Sequence, residues 1–230
     1  SSAARRAPPP PRATMTTTKT AEPEPPRDCA LCPRLVAYRA ESRAADPSRF
    51  NGAVPSFGPE DARLLVVGLA PGLNGANRTG RPFTGDWAGE LLYPTLIAHG
   101  FAQGHYGARA DDGLRLVDAM ITNAVRCVPP QNRPTAAEVA ACRPFLAARI
   151  GALARLACIV TLGRVAHEST LRALGLRLRD HPFAHGAESR ADGLTLIASY
   201  HCSRYNTNTG RLTPAMFDAV FGSARRVLTP

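Results

Sequence analysis

Four short apolar runs, spaced so that a helix-length segment fits between them, constrain this chain more than any other feature. "RLLVVG" (63–68), "DAMITNAV" (118–125), "CIVTLG" (158–163) and "LTLIASY" (194–200) have the length and composition of strands. "AGELLYPTLIAHG" (88–100), "AAEVAACRPFLAARIGALARL" (136–156) and "RVAHESTLRAL" (164–174) separate or follow them as helices. Thr135 and Glu138 form a capping-box signature before the second of these, and Thr213-Pro214 supplies an N-cap and N1 proline for a C-terminal helix. A further helix is expected over "PRLVAYRAESRAA" (33–45). Strands alternating with helices imply right-handed crossovers, hence a three-layer α/β/α fold on a central four-stranded parallel sheet. Ligands of such sheets bind outside the carboxyl ends of the strands. That edge gathers the loop after Val67, the segment after Thr122, the glycine after Leu162 and the segment after Tyr200.

At 230 residues the chain has enough length for one substantial core. Residues 1–27, rich in Pro, Ala and Thr, cannot bury enough apolar surface to offset ordering entropy and read as a disordered tail before a single domain over 28–230. No run approaches the roughly 18 apolar residues of a membrane helix, and no N-terminal segment has a signal-peptide pattern. The expectation is a cytoplasmic monomer without membrane contact. The net charge is +10, from 28 Lys+Arg against 18 Asp+Glu, and nearly all the basic residues are Arg. Such a surplus suits a polyanion, nucleic acid before an anionic membrane surface.

Without a secretory signal, six cysteines point to metal or reactive thiols rather than to disulfides. "CALC" sets Cys29 and Cys32 two residues apart. Cys127 and Cys142 form a second, wider pair that can complete a four-thiolate cage. Zinc ribbons present two tight knuckles, so the open second pair leans toward an iron–sulfur cluster, with zinc left open. Cys158 starts an apolar strand as a core thiol.

Between Gly68 and Asp86 runs "GLAPGLNGANRTGRPFTGD", a glycine-dense loop that holds no acid, His, Ser or Cys until its last residue. Together with "TNAVRCVPPQNRPT", "SYHCSRYNTNTGRLT" and the four cysteines, it resembles the family 5 (B-type) uracil-DNA glycosylases, over about residues 27–225. The resemblance implies an iron–sulfur-containing, monofunctional enzyme that releases uracil and other deaminated bases from DNA. It also implies a structural 4Fe–4S cluster on Cys29, Cys32, Cys127 and Cys142.

A glycosylase extrudes a base, reads its edge and stabilises the charge that develops as the glycosidic bond breaks. By the resemblance, Phe83 is the face on which the base stacks. Asn123, with one donor and one acceptor, meets the uracil edge, and His201 directs a donor at the base O2. Family 4 relatives carry a Glu where this chain has Leu69. Gly68, Leu69, Ala70 and Gly72 can therefore act only through backbone, and the water-positioning duty moves to Asp86, which also suits an N-cap for the next helix. Gly72 leaves open the place where strict uracil enzymes hold a bulky aromatic, which implies relaxed base specificity. Arg78 and Arg81 are expected on the DNA backbone, with Arg204, Tyr205 and Arg211 reaching the minor groove from a loop after His201. Two other readings fit fewer of these residues: a catalytically inactive iron–sulfur module that binds nucleic acid, and an α/β enzyme with "GLAPG" as a phosphate loop.

Overall fold

The computed structural model describes residues 22–229. The first helix, α1 (Pro33–Ala45), starts at Cys32 with a proline in its first turn. It is followed by β1 (Leu64–Gly68), the short α2 (Ala76–Thr79), α3 (Trp87–Ala98) and a two-stranded ribbon of β2 (Ala102–Gln103) and β3 (Arg115–Leu116). Then come β4 (Ala119–Asn123), α4 (Ala136–Ala152), β5 (Cys158–Leu162), α5 (Arg164–Ala173), β6 (Glu188–Ala191), β7 (Leu194–Ser199), α6 (Arg204–Asn208) and α7 (Pro214–Leu228). The capping box at Thr135 and Glu138 forms in full, each partner satisfying the other's backbone N–H.

The main sheet runs β4-β1-β5-β7-β6. Four strands are parallel, as the alternation requires, but the sheet has five: β6 pairs antiparallel with β7 at the edge. Its sequence, "ESRA", has no large apolar side chain, and its burial alternates between exposed and half-buried. An edge strand is held by ladder hydrogen bonds on one side only, so no hydrophobic run announces it. The order also places a switch point between β1 and β5, because the chain leaves β1 for β4 on one side and later returns to β5 on the other.

Each buried strand alternates its side chains between two cores. Leu64, Val66, Ile121, Val160 and Ile197 pack on Leu92, Tyr93, Phe217 and Phe221 of α3 and α7. Leu65, Val67, Met120, Ile159 and Leu196 pack on Leu146, Ile150, Ala166 and Leu171 of α4 and α5. All five residues of β1, β4 and β5 are consequently buried.

Three expectations need amendment. Residues 1–21 of the expected tail lie outside the described residues, but its last part, 22–27, lies against the domain. Glu24 accepts from the backbone N–H of Ser56 (3.0 Å) and pairs with two buried arginines, Arg126 and Arg149, the second of which also pairs with Glu60. The segment after His201 is a one-turn helix, α6, capped by the Ser203 hydroxyl, rather than an open loop. Arg81 does not reach a DNA-facing surface at all. Its guanidinium makes a two-pronged pair with Asp112, both bonds 2.8 Å, with the two side chains 5% and 3% exposed, and it lies over the rings of Phe57 and Tyr93. A buried guanidinium must be paired, and a fork on one carboxylate leaves it nothing to offer a phosphate.

The pair anchors the loop that carries Phe83. Asp112→Ala strands a buried cation and is expected to cost about 3–5 kcal/mol, read as a lower urea midpoint at unchanged slope. Arg81 holds the Asp112 carboxyl far below the usual carboxylate range. The pair's contribution is therefore complete above pH 4 or so and is lost only as pH falls toward that depressed value.

Candidate active site

The loop after β1, the end of β4 and the segment after β7 meet at the carboxyl edge of the sheet. There they form a small pocket lined by Ala70, Pro71, Gly72, Ala76, Phe83, Asp86, Ala88, Asn123 and His201. Asp86, Asn123 and His201, which lie far apart in sequence, thus share one cavity. Ala70 and Gly72 form part of its wall, whereas Gly68 and Leu69 are not among its lining residues.

Asn123 is the last residue of β4 and is 2% exposed. Its Oδ1 has no hydrogen-bond partner among the described residues. A buried amide oxygen without a partner costs roughly 1–3 kcal/mol, so its retention signals a ligand group. Opposite Asn123 in the β1–β4 register is Gly68. A side chain there would collide with both the Asn123 amide and the Phe83 ring.

Phe83 is 6% exposed and adopts a left-handed backbone (φ 53°), which costs about 1–2 kcal/mol for a residue with a Cβ. Its neighbours enforce that conformation. The Tyr93 hydroxyl donates to the Pro82 carbonyl (2.6 Å), and the Tyr106 hydroxyl donates to the Phe83 carbonyl (3.3 Å) and accepts from Gly85 N–H (3.2 Å). The ring stacks beside the His201 imidazole, centroids 5.9 Å apart and planes 28° from parallel.

Asp86 caps α3: its Oδ1 accepts from the Gly89 N–H at 3.4 Å. The other oxygen, Oδ2, faces Gly72 and Gly75, and at Gly75 a side chain would collide with it. Burial pushes the Asp86 carboxyl above its ordinary range, only partly offset by the Gly89 and Ala88 N–H groups. Burial also pushes His201 down, to about 4. At neutral pH the pocket therefore holds a carboxylate that readily takes a proton and an uncharged imidazole.

Two residues at the rim were not singled out by the sequence reading. Asn132 directs its Oδ1 at the space above Gly72, where a side chain on Gly72 would lie 3.9 Å from it and 3.1 Å from Asp86 Oδ2. Both Gln131 and Asn132 have left-handed backbones, a strained turn whose only sequence signal is the "PPQNRP" punctuation. Trp87, 47% exposed, donates from Nε1 to the Thr207 hydroxyl (2.8 Å) and lies under the Arg204 guanidinium. It ties the Asp86 turn to α6.

Of the residues expected on DNA, Arg204, Tyr205 and Arg211 are exposed beside this rim, Tyr205 at 71%. Arg211 lies over the Tyr200 ring. Arg78 is exposed, with Nε on the Asn74 carbonyl (2.8 Å), and braces its own loop.

A second, narrow cavity is ringed by Cys29, Cys32, Cys127 and Cys142, with Pro25, Leu31, Leu35, Val125, Ala141 and Phe145 as its apolar wall. None of the four is in a disulfide. Among the described residues no three His, Cys, Asp or Glu side chains converge as ligands of a single ion. Four thiols around one cavity are a donor set of the kind that holds zinc or an iron–sulfur cluster.

Residues 55–225 match the family model of the uracil DNA glycosylase superfamily. The chain belongs to the uracil-DNA glycosylase superfamily. Its similarity to type-5 uracil-DNA glycosylases is extensive: 47% identity to that of Thermus thermophilus, across 86% of this chain and 93% of that protein, and 43% to that of Mycobacterium leprae, across 86% and 91%. A type-4 uracil-DNA glycosylase of Pyrobaculum aerophilum is 34% identical across 66% of this chain. Among the described residues of this superfamily member, no helix is long and apolar enough to cross a membrane.

The protonation state assigned to the pocket can be measured directly. In a histidine NMR titration, His201 is expected to remain neutral until the pH falls to about 4, well below an ordinary imidazole. A midpoint near 6.5 would contradict a dry pocket around it.

Proposed function

We propose that this chain is a type-5 uracil-DNA glycosylase that hydrolyses the N-glycosidic bond of uracil and other deaminated or damaged bases in DNA, leaving an abasic site. The observation that carries this is the convergence of Asp86, Asn123, His201 and Phe83 on one cavity, with the Asn123 amide oxygen left unpartnered.

The everted base lies against Phe83, a contact worth roughly 1–3 kcal/mol. Asn123 accepts from N3–H and donates to O4 of uracil, which satisfies its orphaned oxygen. As the C1′–N bond breaks, its electron pair leaves with the base, and the neutral His201 donates a hydrogen bond to O2 where that charge gathers. A donor that is not itself charged costs less to desolvate in this pocket. Asp86 Oδ2 and Asn132 Oδ1 together hold a water above Gly72. The water oxygen attacks C1′ and Asp86 accepts its proton, a role that its raised proton affinity favours. The carboxylate also offsets positive charge on the sugar. No lysine lines the pocket, so the proposed reaction involves no lysine Schiff base and no strand cleavage.

Gly72 leaves a space that a bulky residue would fill. A pocket without that obstruction discriminates weakly, since one methyl group is worth only about 1–3 kcal/mol. Cys29, Cys32, Cys127 and Cys142 would hold a 4Fe–4S cluster, supplying a cross-link that pins α1 to α4 and to the segment after β4. Arg204, Tyr205, Arg211 and Arg78 face the duplex, and Trp87 forms part of the same surface.

End-labelled duplexes carrying U, hypoxanthine or a G·T mismatch, treated with protein and then alkali, should break at the lesion. Binding without breakage on all three would favour the inactive nucleic-acid-binding module. Asp86→Asn is expected to reduce turnover about 10²–10⁴-fold and to remove the acidic limb of the pH–rate profile. In the wild type that limb lies above the ordinary carboxylate range, with activity falling as pH drops and Asp86 takes a proton. An unaltered limb in Asp86→Asn would exclude it as the base.

Trp87 is the chain's one tryptophan, so intrinsic fluorescence should change when lesion-bearing duplex binds. An unchanged spectrum at saturating DNA would place Trp87 outside the contact surface.

A further inference from the structure

Two arginines are buried against the four-cysteine cavity, and they are balanced differently. Arg126, 1% exposed, lines the cavity and is paired with Glu24. Arg39, on α1 and 4% exposed, has no carboxylate partner among the described residues. Asp28, beside Cys29, pairs instead with Arg43 at 2.6 Å and lies out in solvent. The Arg39 guanidinium donates through Nη1 to the sulfur of Cys127 (3.3 Å) and through Nη2 to the carbonyl of Cys29 (3.0 Å).

A buried guanidinium facing a neutral thiol and a carbonyl would be a stranded charge, costing several kcal/mol. Arginine cannot shed its proton to escape that cost. The negative charge must therefore come from the cavity. We infer that Arg39 is the counter-ion of the four-cysteine centre, and that its hydrogen bond to the Cys127 sulfur sets the centre's reduction potential and protects it from oxidation. This rests on the proposed 4Fe–4S cluster, whose four thiolates leave a net negative group beside Arg39. A cation and an N–H donor at a ligand sulfur favour the more reduced, more negative state of such a cluster. Removing them shifts the potential to more negative values and makes the cluster easier to oxidise. Arg39 does not line the glycosylase pocket, so it is a positioning residue of the cofactor.

The test uses the full chain purified without air, as wild type, Arg39→Gln, Arg39→Lys and, as a control, Arg43→Gln. Iron and acid-labile sulfide are assayed first: wild type lacking both refutes the cluster itself. With the cluster present, its midpoint potential is measured by EPR-monitored titration, and its lifetime by loss of visible absorbance under ferricyanide. The expected result is a more negative potential and about tenfold faster loss in Arg39→Gln, substantial recovery in Arg39→Lys, and wild-type values in Arg43→Gln. Should Arg39→Gln fail to retain a cluster, retention by Arg39→Lys supports the charge role, and equal loss in both overturns it. An unchanged potential and lifetime in Arg39→Gln likewise overturns it, while leaving the cluster in place.

Discussion

The pocket exists because β1 ends in a residue without a side chain. Gly68 stands opposite Asn123 in the sheet register, and the space its missing Cβ leaves is shared by the Asn123 amide and the Phe83 ring. Any larger residue there would drive apart two of the groups that line the pocket. The rest of the site is arranged around that approach. Phe83 is held in a costly backbone conformation by hydroxyls of Tyr93 and Tyr106, and its loop is fastened by the Arg81–Asp112 fork. Rigid hydrogen-bonded support behind a strained residue is how folds maintain such geometry at sites of chemistry.

Burial then gives three polar groups different chemical characters in one small volume. The same loss of water raises the proton affinity of Asp86 and lowers that of His201. One is left a carboxyl with raised proton affinity and the other an uncharged imidazole, without any ion pair between them. Asn123 cannot titrate, and its buried amide oxygen is left without a partner among the described residues. The loop "GLAPGLNGANRTGRPFTGD" carries little reactive chemistry of its own, and its glycines let the Asn123 strand end and Asp86 approach its backbone closely.

The arginine surplus proves to have two separate uses. Arg204, Arg211 and Arg78 stay exposed, in keeping with a polyanionic partner. Arg39, Arg81, Arg126 and Arg149 are buried and serve the fold, each facing a specific anion, sulfur or carbonyl. Net charge alone cannot separate these groups, which is why Arg81, within a glycine-rich loop, reads in sequence like a phosphate contact.

Apolar runs and caps were legible from the chain alone: α1 spans the residues its pattern indicates, and four parallel strands fall on the four hydrophobic runs. That follows because a strand buried on both faces must be apolar along its whole length, and a helix start must satisfy free N–H groups. Edge strand β6 left no such mark, since one-sided backbone pairing makes no demand on side chains. The residues of the proposed site could be named through long motifs, but their convergence depends on strand order, which no local pattern encodes. Which arginine is buried, where the Glu24 segment lies, and which oxygen of Asp86 faces the pocket were decided only by tertiary packing. Those outcomes depend on distances between residues remote in the chain, and electrostatics acts through space rather than along sequence.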